Sequence, residues 1–437
     1  MLNIFRHLAK HWATILAVVV LLLVQANCDL ALPSYTSDIV DVGIQQGGVE
    51  NGLPGSARQT TLDALSVLMS GEDAAALDAA YGPADENGVR ALLDTVTEEQ
   101  QAALADALTT PDVALYMAAA AQSASRQGVE TALPEPQDLD SAAAMLSAAA
   151  AAPGFDHEAL LTRLAGAAGS LDETTAETLA SQAVQLVRLE YQAQGIDGDV
   201  QMHYLLTTGG EMLLVALLMA AAAISVGFLA SRVSAAVGRD LRRQVFGKVI
   251  SFSNAETDRF STASLITRTT NDIQQVQMTS VMLLRIVIYA PILGIGGIIR
   301  VAGTDTGLSW IIVLAVALLL ALVFVLMQVA MPKFKIMQKL VDRLNLVSRE
   351  ILTGIMPIRA FSREKFEEER FDAANKDLMK TQLFTNRTMT FMMPAMTLIM
   401  NGISLLIVWF GGHAMETSGM QVGDLIAFIT YTMQIVM

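Results

Sequence analysis

Five apolar runs divide this chain, at about 12 to 32, 211 to 230, 278 to 300, 308 to 331 and 389 to 413. Each is long enough to cross a hydrocarbon core of ~30 Å, which takes ~20 helical residues. A sixth run starts near Val422; its apolar part, from Leu425 to Met437, is 13 residues, or ~20 Å of helix, short of a span. The pattern predicts an all-α polytopic bundle with five complete membrane helices and a sixth cut off inside the chain.

The first run has the outline of a secretory signal, with Arg6 and Lys10 before an apolar core that ends at Val24-Gln25-Ala26-Asn27-Cys28. A lipoprotein cleavage site needs a small residue before the cysteine, and Asn27 is not one. The apolar stretch also continues through Leu30 and Leu32 to Pro33, so the run reads as an uncleaved anchor helix.

Helical spacing does not stop where the second and fourth runs end. Val233, Val237, Leu241, Val245 and Val249 follow one, and Ile336, Leu340, Leu344, Val347 and Ile351 the other. Both helices are therefore expected to project as rods, with 20 extra residues reaching ~30 Å past the bilayer. A short segment with apolar side chains among charges lies at the far end of each rod. Residues 251 to 260 offer Phe252 and Phe260 around Ala255, Glu256 and Asp258; the other segment offers Pro357, Ile358, Arg359, Ala360 and Phe361. Aromatic tips can pack their own turn or dock on a partner, and their matched occurrence favours docking.

Between the first two runs the pattern changes. Residues 47 to 200 are Ala-rich, acidic and helical in period, and predict five to seven short helices. Helix starts are marked by Thr97-Glu98-Glu99-Gln100 and Ser170-Leu171-Asp172-Glu173, both of capping-box form, and by Pro111 after Thr110. Alanine favours helix but buries little area, so the core falls to Leu92, Leu93, Leu104, Leu108, Leu160, Leu161 and Leu164. The chain thus divides into 1–46 with the first membrane helix, the insert 47–200, and 201–437 with the remaining membrane helices.

Charge supplies the orientation. The net charge of −15 hides two regions of opposite sign: residues 33 to 204 hold 26 Asp+Glu against five Arg and no Lys, and the rest holds 17 acidic against 23 basic residues. Of those 23, two precede the first run, seven lie in 231–277 and twelve in 332–388, all on one side of the membrane. The positive-inside rule assigns that side, and the N-terminus, to the cytoplasm of a cell-membrane protein. The insert is then extracytoplasmic, where a lid, a collector of cationic substrates, a docking site and a passive accessory domain are all open. Its lack of Lys excludes nucleic acid.

The composition removes other classes. With 53% hydrophobic and 16% charged residues the chain is neither disordered nor an ordinary soluble protein. One cysteine, Cys28, excludes an internal disulfide framework, and five scattered His with no HExxH make a zinc enzyme a poor fit. Arg285 lies within the third run, toward the inner leaflet; a place on a substrate path and snorkelling to the interface are both open. Met389, Met392, Met393, Met396 and Met400 suit either a pliable cavity wall or plain packing, and Arg285, Met393 and Met396 stand as substrate-path candidates.

The longer motifs carry a resemblance. Val237-Gly238-Arg239-Asp240-Leu241-Arg242-Arg243-Gln244-Val245-Phe246, followed by residues 260 to 273, resembles the first cytoplasmic loop of bacterial ABC exporter half-transporters. Asn345-Leu346-Val347-Ser348-Arg349-Glu350 with Gly354-Ile355-Met356-Pro357-Ile358-Arg359-Ala360-Phe361 resembles the second, and Asp38-Ile39-Val40-Asp41 also fits. The resemblance covers about 1–46 and 196–437. It implies the type IV exporter arrangement: six membrane helices per subunit, a second half-transporter as partner, and an ATPase domain that binds ATP and Mg. It also implies that the two loop tips are coupling helices seated on that domain.

Two departures stand out. Neither GxxxxGK[ST] nor an LSGGQ-like signature occurs, so ATP and Mg belong to an ATPase domain outside these residues. The insert also replaces what is usually a short external loop in that family. The expected function is the permease part of an ATP-driven exporter moving an unidentified substrate outward by alternating access; a membrane sensor or anchor, and a non-functional truncated transporter, are the alternatives.

Overall fold

The computed structural model describes the chain apart from residues 1–10, 129–132, 153–156, 161, 163–172, 254–259, 303–306 and 418–419, and apart from the side chains of 173–178, 302, 416 and 417. The chain forms two compact units, Met1–Thr306 with Gly411–Tyr431, and Gly307–Phe410 with Thr432–Met437.

The first unit opens with α1, Trp12–Asp38, which passes without a break into a π-helical segment, Ile39–Gln45. The insert follows: strand β1 (Ser56–Arg58), α2 (Gln59–Val67), α3 (Gly71–Ala80), strand β2 (Val89–Ala91), α4 (Glu98–Gln127), α5 (Pro136–Ala150) and α6 (Glu173–Gln194). Then come α7, Asp197–Ile250, and α8, Thr262–Val301, the latter interrupted by π-helical turns at Arg268–Asp272 and Leu283–Val287. In the second unit α9 (Ser309–Thr353), α10 (Ile355–Ala360) and α11 (Glu364–Thr390) follow one another closely. Two further helices, α12 (Met392–Thr417) and α13 (Val422–Val436), each run from one unit into the other.

Five helices among the described residues are long and apolar enough to cross a membrane, and they contain the five runs expected from the sequence. The helix through the second run is 54 residues long, or ~81 Å, and that through the fourth is 45 residues, or ~68 Å, so both project well beyond a bilayer. The third and fifth spans also lengthen, starting at Thr262 and Glu364. Charge hid the extension at α11 from an apolar reading. That helix is instead held by ion pairs, Lys376 to Asp372 at 2.6 Å on its own face and Arg370 to Glu350 of α9 at 2.5 Å.

The insert folds about its own apolar core of Leu62, Leu65, Leu77, Leu108, Leu115, Leu139 and Leu186. Thr97 caps α4 as a capping box with Gln100, and Gly128 closes that helix in the left-handed region. The other expected box, Ser170-Leu171-Asp172-Glu173, lies outside the described residues except for Glu173, where α6 begins. Leu104 and Leu108 are core residues and Leu92 and Leu160 pack at its edge; Leu161 and Leu164 lie outside the described residues.

Three expectations need correction. Pro111 does not start a helix but lies buried within the 30-residue α4, where Leu104, Leu108 and Leu115 on one buried face hold the helix together across the lost backbone bond. For the same reason the insert helices are not all short. Leu93 is exposed, because it follows Leu92 along an extended segment and points to the other face. The two-residue-period signal of β1 and β2 was too short to read; they pair antiparallel as a small ribbon, Ala57 opposite Arg90, on an otherwise helical domain.

Within the first unit α1 lies along α7 and α8. Val18 and Leu22 of α1 meet Val226 of α7, with Ile288 and Ile292 of α8 at the edge. Gly296 of α8 faces Leu30, so close that an added Cβ would stand 2.7 Å from its Cδ1, which accounts for one of the glycines that follow Pro291. In the second unit α9 and α11 run side by side, and Trp310 meets Phe410 edge to face at 5.4 Å.

Candidate functional site

Two kinds of site emerge, one at the rod tips and one where the insert meets the membrane helices. At the first tip Phe252 and Phe260 stack with ring centroids 5.7 Å apart, and the Arg268 guanidinium lies 5.6 Å from the Phe260 centroid. The two rings thus partly satisfy each other. Ala255, Glu256 and Asp258, singled out between them, lie outside the described residues.

The second tip is built differently. α10 contains Pro357, Ile358, Arg359 and Ala360, and Phe361 follows it with 79% of its surface exposed. Its end is a Schellman turn: the Ser362 N–H donates to the Arg359 carbonyl at 3.2 Å and the Arg363 N–H to the Ile358 carbonyl at 2.9 Å. Ser362 takes φ 51°, a left-handed conformation that no other non-glycine residue described here adopts. The turn fixes the direction in which Phe361 and Met356 leave the surface. Behind them a hollow of about 530 Å3 is lined by Ile351, Leu352, Ile358 and Phe371.

The substrate-path candidates divide between the two units. Arg285, in the second π-helical turn of α8, lines a cavity of about 660 Å3 with Gln25, Met278, Met282 and Tyr289. It does not pair with Asp29; the Tyr289 hydroxyl donates to that carboxylate instead. On α12, Met393 is exposed and Met396 half-buried. Among the described residues no three His, Cys, Asp or Glu side chains are placed to hold a metal ion.

The insert end of the first unit holds what the sequence did not announce. Asp41 is buried in the π-helical segment, and its Oδ1 accepts the Gly423 backbone N–H at 2.7 Å and the Gln45 Nε2 at 3.0 Å. Ser37 Oγ reaches Asp41 Oδ2 and Asp424 Oδ1, both at 3.2 Å. The chain then leaves through Gly48, at φ +84°, where an added Cβ would stand 2.9 Å from the Gln201 Cα of α7. Beside this junction lies a cavity of about 830 Å3, bounded by the end of α1, by α4 and α6 of the insert, and by the start of α13.

Glu190 and Asp112 are two of the buried carboxylates of the insert, held in opposite ways. Glu190 is 1% exposed and accepts Arg58 Nε and Nη2, Thr61 Oγ1 and Gln194 Nε2. Burial alone would lower the Arg58 guanidinium, but its bonds to Glu190 and the charges of Glu190 and Asp140 carry it above the ordinary value. Asp112 in α4 is fully buried, with neither carboxyl oxygen in a hydrogen bond. Burial pushes its carboxyl well above the ordinary carboxylate range.

The transmembrane region of ABC transporters matches residues 192–437. An uncharacterised ABC transporter ATP-binding protein of Mycobacterium tuberculosis is 37% identical over 261 residues, 60% of this chain and 44% of that protein. One from Bacillus subtilis is 32% identical over 260 residues, 59% of this chain and 45% of its own. An ATP-dependent lipid A-core flippase of Pseudomonas fluorescens is 25% identical over 211 residues, 46% of this chain and 33% of its own. The chain thus spans less than half the length of these relatives.

Proposed function

This chain belongs to the family of ABC transporter transmembrane regions and is a multi-pass membrane protein, and from that premise we propose that it forms the permease part of an ATP-driven exporter. The relatives it resembles are named as ATP-binding proteins, which supports an ATPase domain, fused or separate, as its working partner. ATP and Mg bind there, and hydrolysis drives alternating access between inward- and outward-open states of two half-transporters. The basic rods face the cytoplasm and the insert faces outward, a reading the Lys and Arg distribution supports.

The observation that carries this reading is the tip at α10. A large aromatic held out on a fixed turn, at the end of rods that continue the membrane helices, suits docking to a moving domain. Phe252 and Phe260 supply the other coupling contact. A stiff helical connection transmits a displacement, whereas a flexible tether absorbs it.

The test is Phe361→Asp in the intact transporter, reconstituted with its ATPase domain. Membrane insertion stays normal while substrate-stimulated ATP hydrolysis and transport fall by about tenfold or more, in line with loss of one interfacial anchor. Hydrolysis and transport unchanged from the unsubstituted protein would remove the coupling assignment.

A further inference from the structure

We propose that the cavity of about 830 Å3 beside the insert is a binding site for an organic ammonium ion, an apolar body carrying a protonated amine. Its volume is in the range of small-molecule pockets, roughly 300–1,000 Å3. Four carboxylates line it, from Asp38, Glu50, Asp106 and Asp424, against a single guanidinium, Arg300. Among the described residues none of the four is in an ion pair, so their field is not cancelled locally.

The acids alone would not define a ligand, but the walls do. Phe428 and Tyr431 also line the cavity, and the Tyr431 ring is fixed because its hydroxyl donates to the Leu30 carbonyl at 3.0 Å. Fixed aromatic faces attract a cation and bury an apolar body at once. The decisive group is Gln46. It is 8% exposed, lines the cavity, and donates through Nε2 to Gln421 Oε1 at 3.1 Å, yet its own Oε1 has no hydrogen-bond partner. Buried acceptors are almost always satisfied, and an ammonium N–H is the donor this one lacks. Among the described residues no three His, Cys, Asp or Glu side chains are placed to hold a metal ion, and the aromatic walls favour an organic cation over a bare one.

That the bound cation is on its way out of the cell rests on the exporter reading; the binding itself does not. The test therefore uses the full chain in nanodiscs of zwitterionic lipid, without nucleotide, and the fluorescent amine monodansylcadaverine as probe. Saturable binding is expected, weakened about fivefold each by Glu50→Gln and Asp106→Asn and unchanged by Glu72→Gln, an insert acid away from the cavity. The N-acetylated probe, which has lost the charge, and the trimethylammonium analogue, which keeps it but has lost the N–H, separate the two recognition elements. The first fails to bind, and the second binds several-fold more weakly, a loss that Gln46→Leu abolishes. Equal binding of the charged and acetylated probes, or indifference to both cavity substitutions, overturns the site and leaves the exporter reading standing. Binding as described, with no ATP-dependent movement of the probe by the intact transporter, keeps the site and removes its place on a transport path.

Discussion

The Asp41 carboxylate accepts the backbone N–H of Gly423 at 2.7 Å, across 382 positions of sequence. This bond places a negative group on the first turn of α13, where orphan N–H groups and the helix dipole both favour it. It ties the end of the first membrane helix to the start of α13. Gly423 is needed for the approach, since an added Cβ would collide with the Asp41 carboxylate and the Ser37 carbonyl.

Asp41→Ala is accordingly expected to lower stability by about 0.5–2 kcal/mol, the usual cost of a lost helix cap. Gly423→Ala acts from the other side by overpacking, at about 1–3 kcal/mol. Thermal unfolding followed by size-exclusion chromatography checks both. The double variant should lose less than the sum of the two, because each change breaks the same contact.

Asp112 makes stability depend on pH. Its carboxyl is raised by burial in the folded state, so the folded protein holds a proton that the unfolded chain releases. This favours folding fully below the unfolded value of about 3.9, and the advantage is lost as pH rises from there toward the folded value. Asp112→Asn removes that dependence. The variant should gain stability over the parent at pH 7 and lose that gain near pH 4, as read by denaturation of the protein at both values; a gain that does not change with pH would contradict a protonated Asp112.

Ser362→Gly relieves the left-handed residue of the Schellman turn, whose φ is 51°. A stabilisation of up to about 1 kcal/mol is expected at that turn. Protection of the Arg363 amide in hydrogen exchange should rise, while transport stays near the parent level because Phe361 keeps its direction.

Sidedness is open to a direct measurement. In a Cys28→Ser background, Asp94→Cys in the insert should react with an impermeant maleimide added outside intact cells. Met356→Cys at the α10 tip should react only after the membrane is opened. Both positions are exposed on this chain, so in a preparation without the ATPase domain reagent access depends on the membrane.

Long-range order explains which parts of the molecule were legible in the sequence. The spans were readable because a run of twenty apolar residues has one stable answer in lipid. Thr97 and Gln100 were readable because a capping box is complete within four residues. At Pro111 the local helix-start signal is overridden by the buried Leu face on either side. The ends of α11 were hidden by charges whose partners lie on another helix, as Arg370 shows with Glu350. The junction of Asp41 with Gly423, the unpaired Asp112 and the bare Gln46 oxygen exist only once distant elements pack, and no short motif announces them. The stretch Asp38 to Asp41 gave a hint without giving its partner.

One continuous helix links the insert to the first rod tip. α7 begins against the insert, where Gln201 Nε2 donates to the Gly43 carbonyl at 2.8 Å, and ends at the tip that carries Phe252. Over ~81 Å of helix, a tilt of ~5° about one end carries the other through ~7 Å. Such a lever works in both directions. On the proposed orientation, a ligand or antibody that clamps the insert is expected to slow an ATPase domain docked at the far end of the rod.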